Sequence, residues 1–182
     1  ANMTLETERL LLRQWEERDA TDLFHYASAP AIGPMAGWPP HKSVEESLGI
    51  IRNFLDGPEA YAMCLKDDGR LVGSIELKVD SKDTPADECN LGFWIGQPYW
   101  GRGLTPEAAR EILRHAFEDI GITKVWCRFY DGNTQSKRVQ EKLGFVHVET
   151  LHDVDIPRLH EKRTVHVNAM TRDAWLARQR RA

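Results

Sequence analysis

The sequence predicts an α+β fold, a mixed and mostly antiparallel sheet flanked by helices. Three observations predict it: strand-like segments cluster early, helical stripes are interspersed among them, and a late pair of strand-like segments flanks a proline turn. With 182 residues, 41% of them hydrophobic and 29% charged, the chain has room for a real core and reads as one domain over 3–182, without internal repeats. Ala1 and Asn2, ahead of Met3, read as an artificial remnant outside the fold.

Residues 8–15, centred on Leu10, Leu11 and Leu12, read as the first strand, and an acidic turn leads into a short helix over 19–28. Pro30, Gly33, Pro34, Gly37, Pro39 and Pro40 make 30–42 a loop. Ser43 then caps a helix that ends near Leu55, before the Gly57-Pro58 break. Strands over 60–67 and 70–80 flank the Asp68-Gly69 turn. In the second of them Leu71, Gly73, Ile75, Leu77 and Val79 share one face, and Ser74, Glu76, Lys78 and Asp80 the other. A polar connection over 81–87 precedes a strand over 88–96. The next helix carries Ala109, Ile112, Leu113, Ala116, Phe117 and Ile120 on one stripe and stops at Gly121. Val125, Cys127 and Phe129 alternate with Trp126, Arg128 and Tyr130 in a strand over 123–130. A helix over 135–143 closes at Gly144 in a left-handed conformation, with Phe145 folding back on it. Strands over 145–155 and 160–169 flank Ile156-Pro157-Arg158, and the basic end from Arg178 to Arg181 reads as solvated.

A net charge of −4 gives no general attraction to nucleic acid or anionic lipid. No apolar run approaches the roughly 20 residues that span a bilayer, and no signal-peptide pattern is present, so a cytoplasmic protein is expected. Cys64, Cys89 and Cys127 make an odd count without CxxC and read as buried thiols. His147, His152, His160 and His166 lack HxxxH or HExxH spacing, and no metal site is expected.

The most informative stretch runs from Gly92 to Ala108, an apolar strand passing through a glycine-broken turn into a helix. Gly101 and Gly103 let the chain turn tightly, Thr105 reads as the N-cap and Pro106 as the first helical residue. First-turn N–H groups lack partners inside a helix, so the turn at Gly101, Arg102, Gly103, Leu104 and Thr105 suits a phosphate. A GxG alone fits a plain strand-to-helix connection equally well. A nucleotide-binding P-loop is not indicated: GxxxxGK(S/T) is missing, and Leu104-Thr105 stands where it has Lys followed by Ser or Thr.

Taken together, Trp100-Gly101-Arg102-Gly103, the helix it starts, and Asn133-Thr134-Gln135-Ser136 followed by Glu141-Lys142-Leu143-Gly144-Phe145 resemble the GNAT family of acetyltransferases. The opening Glu6-Thr7-Glu8-Arg9-Leu10-Leu11-Leu12-Arg13 and the Leu91-Gly92-Phe93-Trp94-Ile95 strand are similar to its branch that acetylates the N-terminal amines (alanine or serine) of ribosomal proteins, so the resemblance covers nearly the full length. It implies the GNAT fold with splayed central strands, a bulge parting 88–96 from 123–130, acetyl-CoA as cosubstrate without a metal, and an amine acceptor. A homodimer is an analogy only. The resemblance further implies that the pyrophosphate of coenzyme A rests on 101–105, with Arg102 either paired to phosphate or solvated, and that the pantetheine arm pairs with the backbone of Phe93, Trp94 and Ile95. A free strand N–H in that slot would act as an oxyanion donor worth about 3 kcal/mol.

Within the same resemblance, Asn133 hydrogen-bonds the pantetheine side of the cofactor or simply caps its helix, and Ser136 donates a proton to the departing thiolate or is a plain helix serine. The sequence departs from the family at Thr105, usually a small residue, and at Asn90, where the branch often carries glutamate. An asparagine is no base, which leaves Glu88 and Glu76, each acting through water. A lysine-like amine with a pKa near 10 is only about one part in a thousand neutral at pH 7, a deficit of roughly 4 kcal/mol, so a weak base favours an α-amine. Trp38 and His41, with Met35, make the loop 30–42 the expected acceptor wall. The leading expectation is acetyl transfer to a primary amine, of a protein N-terminus or a small molecule, by direct attack in a ternary complex. A non-catalytic acyl-CoA-binding module is the alternative that Asn90 keeps open.

Overall fold

The structure is a computed structural model that describes residues 3–79 and 82–181. The residues at 1–2 and Asp80, which carry expectations above, and the first residue of the 81–87 connection lie outside the described residues. The chain runs through β1 (Leu5–Glu6), β2 (Leu10–Gln14), α1 (Ala20–Ala27), α2 (Gly33–Ala36), α3 (Val44–Phe54), β3 (Ala60–Leu65), β4 (Leu71–Lys78) and β5 (Glu88–Ile95). It continues through α4 (Leu104–Arg114), β6 (Lys124–Tyr130), α5 (Thr134–Leu143), β7 (Val146–Ile156), β8 (Glu161–Thr171) and α6 (Arg172–Arg181).

Among the described residues, eight strands form one sheet in the order β1-β2-β3-β4-β5-β6-β8-β7. Neighbours are antiparallel except β5 and β6, which are parallel because α4 carries the chain back across the sheet between them. That one parallel pair is short. It joins Glu88–Leu91 to Lys124–Cys127, and beyond it β5 follows β4 to Ile95 while β6 follows β8 to Tyr130. The two strands therefore part in mid-sheet. The bulge that the resemblance implies is not what parts them, since the register of β5 with β4 and of β6 with β8 runs unbroken past the divergence. Two twisted half-sheets share only their lower ends.

α4 and the helical segment His115–Ile120 that continues it cover one side of this junction with Ala108, Ala109, Ile112, Leu113, Ala116 and Phe117, all at most 1% exposed. Ile120, placed on the same stripe by sequence, is 38% exposed instead: His115–Ile120 wind as a π-helix, and the changed pitch rotates the end of the stripe outward. Three other expectations change. The expected first strand forms as β2, but a short strand, β1, precedes it across a turn at 7–9 where Thr7 Oγ accepts from the Leu10 N–H (3.0 Å). The loop 30–42 holds the single helical turn α2, with Pro34 near its start, where a missing N–H costs nothing, and Gly37 at φ 96° as its end. The basic C-terminus is helical, with Thr171 capping α6 at the Ala174 N–H (3.1 Å) and Trp175 buried against Phe117 (ring centroids 5.5 Å).

Candidate active site

The turn after β5 is built to leave main-chain donors free. The Trp100 indole donates to the Ile95 carbonyl (2.9 Å), folding the chain back at the strand's end. Gly101 and Gly103 then take φ of 76° and 73°, a region costly for any residue with a Cβ. Gly103 is itself the residue that opens α4, its carbonyl accepting from the Glu107 N–H (3.2 Å), so the helix begins two residues earlier than expected. Thr105 and Pro106 are thus the second and third helical residues, where a proline still lacks no bond because those N–H groups have no acceptor within the helix. Among the described residues, the N–H groups of Gly101, Arg102, Gly103, Leu104 and Thr105 donate to no protein acceptor. The Leu104 side chain is buried, and the Arg102 guanidinium lies over the Tyr99 ring (5.2 Å), leaving the main chain to face a ligand.

A brace from the start of the chain holds this turn. Glu107 accepts from Thr7 Oγ, from the Arg9 N–H (2.9 Å) and from Arg9 Nε (2.8 Å), and Arg9 Nη1 donates to the Arg102 carbonyl (3.0 Å). Partial burial pushes the Glu107 carboxyl up, but the hydrogen bonds from Thr7 and Arg9 together pull it below its ordinary value. The carboxylate is thereby committed to Arg9 rather than free to repel an anion at the helix N-terminus.

The slot between the parted strands leads away from this turn. Gly96 N–H donates to Val72 (2.8 Å), and Ser74 and Trp94, like Glu76 and Gly92, are opposite one another in the same ladder. By antiparallel alternation the peptide groups of Leu91, Phe93 and Ile95 turn the other way, toward β6. Leu91 C=O is indeed met from β6 by Cys127 Sγ (3.4 Å), and Ile95 C=O by the Trp100 indole, so Phe93 lies beyond the last β6 pair with its peptide toward the opening. Trp94 differs from the expectation of a free backbone: its peptide serves β4, and its indole meets Trp38 (centroids 6.4 Å) on the opposite face. Across the slot, Asn133 caps α5 by accepting from the Ser136 N–H (3.2 Å). Its amide also donates to the Met35 carbonyl (3.4 Å), tying α2 to α5. Ser136 Oγ accepts from Gln140 Nε2 (3.1 Å); Gln140, fully buried, also donates to the Arg128 carbonyl (3.2 Å) and accepts from Asn168 (2.8 Å).

The sheet face away from α4 carries Ser74, Glu76, Asn90, Gly92, Trp94 and Trp126. A cavity of about 1100 Å³ joins this face to the slot, reaching from Trp38 and Glu76 to Phe93, Thr105 and Ser136. Burial pushes the Glu76 carboxyl up, and Lys78 (3.7 Å) pulls part of it back. Glu88 accepts from the Trp126 indole (2.7 Å), and Asn90 donates to Thr84 Oγ (3.2 Å). His41 is 5% exposed, bonded at Nδ1 to Ser47 Oγ (2.8 Å), and burial lowers its pKa; it pins the loop and lines the cavity beside Trp38 (ring centroids 5.0 Å). Burial raises all three thiols, Cys89 to about 12.

Donors for a diphosphate, an open strand edge and a cavity through the sheet match a known architecture, and an acetyltransferase (GNAT) domain model fits residues 9–146 of the chain. The chain belongs to the GNAT acetyltransferase family. It is 24% identical over 157 residues, 84% of this chain and 87% of the relative, to an uncharacterized N-acetyltransferase, p20, of Bacillus licheniformis. It is 26% identical over 151 residues, 78% of this chain and 77% of the relative, to the ribosomal protein uS5-alanine N-acetyltransferase of Escherichia coli. The crystal structure of a GNAT-family acetyltransferase from Bacillus anthracis has the same fold, with a TM-score of 0.83 at 22% identity, covering 94% of this chain and 99% of that one.

GNAT enzymes use acetyl-CoA, and in this acetyltransferase the free amides of 101–105 and the Phe93 edge fit its diphosphate and its amide-bearing arm. The structure brings Phe93, Trp94, Ile95, Thr105, Asn133, Ser136, Glu88, Trp38 and His41 to one cavity, while Gly101, Arg102, Gly103 and Leu104 lie outside its lining. The Arg9–Glu107 brace and the Gln140–Asn168 pair behind Ser136 escaped the sequence reading. Only the opening resemblance at Glu6–Arg13 hinted at the first, and no local signal marks the second.

Proposed function

We propose that this acetyltransferase moves the acetyl group of acetyl-CoA to a primary amine by direct attack in a ternary complex, with the α-amine of a protein N-terminus as the first choice of acceptor. The observation that carries the reading is the single cavity open to both the cofactor edge at Phe93 and the aromatic face at Trp38 and Trp94. A donor lying along one side and an amine entering from the other would meet where β5 and β6 part. The buried thiols support direct attack, because a covalent acyl-enzyme needs an accessible thiolate and burial suppresses all three.

Acetyl-CoA supplies the activated acyl group as a thioester. The chain supplies the rest: amides 101–105 hold the diphosphate, the Phe93 N–H faces the thioester oxygen, and Ser136 offers a proton to the sulfur. Ser136 suits that role because its oxygen already accepts from Gln140, which leaves its own proton for another acceptor. The activity of the Escherichia coli relative on ribosomal protein uS5 supports a protein N-terminus as the acceptor. Thiol release from acetyl-CoA over a panel of peptide N-termini and small amines tests the reading. Release with peptides is the expected result; cofactor binding without release for any amine favours the non-catalytic module.

A further inference from the structure

We propose that Glu76, on the strand beside the opening, is the base that takes a proton from the acceptor's ammonium group. This assignment rests on the acetyl-transfer reading above and adds to it the group that activates the amine.

Position argues for Glu76 first. It stands directly opposite Gly92, the first residue of β5 past the last pair with β6, Leu91 with Cys127. With no side chain at Gly92, the carboxylate lies across the strand: a Cβ placed there would sit 3.7 Å from Glu76 Oε1. The carboxylate therefore overlies the fork of the two strands, on the cavity face opposite α4, where an amine arriving from the Trp38 side meets a thioester held along Phe93. Its side chain is 25% exposed, reachable by a substrate but shielded from bulk water. Its charged neighbour within 4 Å among the described residues is Lys78, at 3.7 Å, too long for a firm hydrogen bond.

The other carboxylates are placed worse. Glu88 pairs with Lys124 in the closed part of the junction and is committed to the Trp126 indole. It lies four residues below Gly92, about 13 Å at the usual rise of a strand. Glu149 and Asp155 are exposed on the β7–β8 hairpin, and Asp83 is exposed in the connection after β4. His41 lines the cavity with its Nδ1 bonded to Ser47 Oγ, but it stands in the loop between α2 and α3 and not on the strands that part.

R–NH3+ gives one proton to the Glu76 carboxylate, directly or through one water, and the freed lone pair attacks the thioester carbon. The C–N bond forms, the C–S bond breaks with its electron pair on sulfur, Ser136 passes its proton to the thiolate, and the second nitrogen proton returns through water to the Ser136 oxygen. The products are the amide, the free thiol and one proton released from Glu76 to solvent.

The test compares the parent with Glu76→Gln and Glu76→Ala. Glu76→Gln is expected to lower kcat/KM at least about 100-fold, the usual contribution of a positioned base, with a larger loss for amines of pKa near 10 than near 8. Two readouts lie outside turnover. The Kd for coenzyme A by calorimetry stays within about twofold, and the thermal midpoint does not fall, since Gln removes a carboxylate that burial disfavours. Added formate is expected to restore part of the Glu76→Ala rate, as a structural carboxylate would not allow. A parent that releases thiol and a Glu76→Gln variant that matches it overturn this assignment and leave the acetyl-transfer reading standing. Loss of cofactor affinity and thermal midpoint together, with no rescue, overturns it in favour of a structural role. A parent inactive on every amine overturns both.

Discussion

Gly103 carries two constraints at once. Its φ of 73° keeps the turn in a left-handed conformation, and its amide is one of five consecutive ones that, among the described residues, donate to no protein acceptor. A β-branched residue there costs about 1–3 kcal/mol of backbone strain, and the turn relaxes by moving those amides. Gly103→Val is therefore expected to raise the Kd for coenzyme A at least about tenfold by calorimetry, and an unchanged Kd would place the diphosphate elsewhere. Ser136 is the proposed proton donor at the other end of the reaction. Its oxygen is oriented by Gln140, itself held by Asn168 and the Arg128 carbonyl, so its proton has a fixed direction. With Ser136→Ala, steady-state kinetics should give a kcat reduced about tenfold or more while the Kd for coenzyme A moves less than about twofold. Equal turnover would move the proton donor to another group.

The N-terminus of α4 acts as an element because the start of the chain clamps it. Glu107→Gln leaves Arg9 facing a neutral amide and loosens the Arg102 carbonyl that Arg9 holds. Hydrogen bonds to a charged group are worth about 1.5–3 kcal/mol, which sets the expected loss of stability at pH 7. The folded protein keeps this carboxyl below its ordinary value, so its contribution is present above that value and is lost as pH falls through the lower, folded one. The gap in thermal midpoint between parent and variant should accordingly close below about pH 4, near the carboxylate's ordinary range, and a gap that widened in acid would refute the brace. This clamp also marks where reading the sequence stops. The glycine turn, the Ser43 and Asn133 caps and the Gly144 stop were legible because each is decided within four residues. Glu107 meets Arg9 across 98 positions, and Glu76 meets Gly92 through a strand register, neither of which leaves a local trace. α6 escaped for another reason: its apolar residues Ala174, Trp175, Leu176 and Ala177 are consecutive and form no helical stripe.

On the scale of the whole molecule, the opening exists because two half-sheets join only through four residue pairs, so their relative placement depends on what packs behind them. α4 spans the junction, and at its far end Phe117 is fully buried beneath Trp175 of α6. α6 is in turn fastened to α5, where Arg178 donates to the Lys142 carbonyl (3.3 Å). The C-terminal helix thus closes the core at the end of α4 opposite the glycine turn. Trp175→Ala opens a cavity there, and a buried tryptophan lost to alanine costs about 3–5 kcal/mol. For a chain of this size each kcal/mol lowers the midpoint by about 2–4 °C, so a fall on the order of 10 °C is expected. Saturating coenzyme A at about 100 times its Kd adds about 2.7 kcal/mol to any protein that binds it only when folded. Because Trp175 lies at the other end of α4 from the amides of 101–105, the cofactor-induced rise in midpoint should be the same in parent and variant. Differential scanning calorimetry with and without coenzyme A measures both quantities. A variant that lost the cofactor-induced rise as well would mean that α6 sets the width of the slot, coupling the core's last helix to the binding of the acetyl donor.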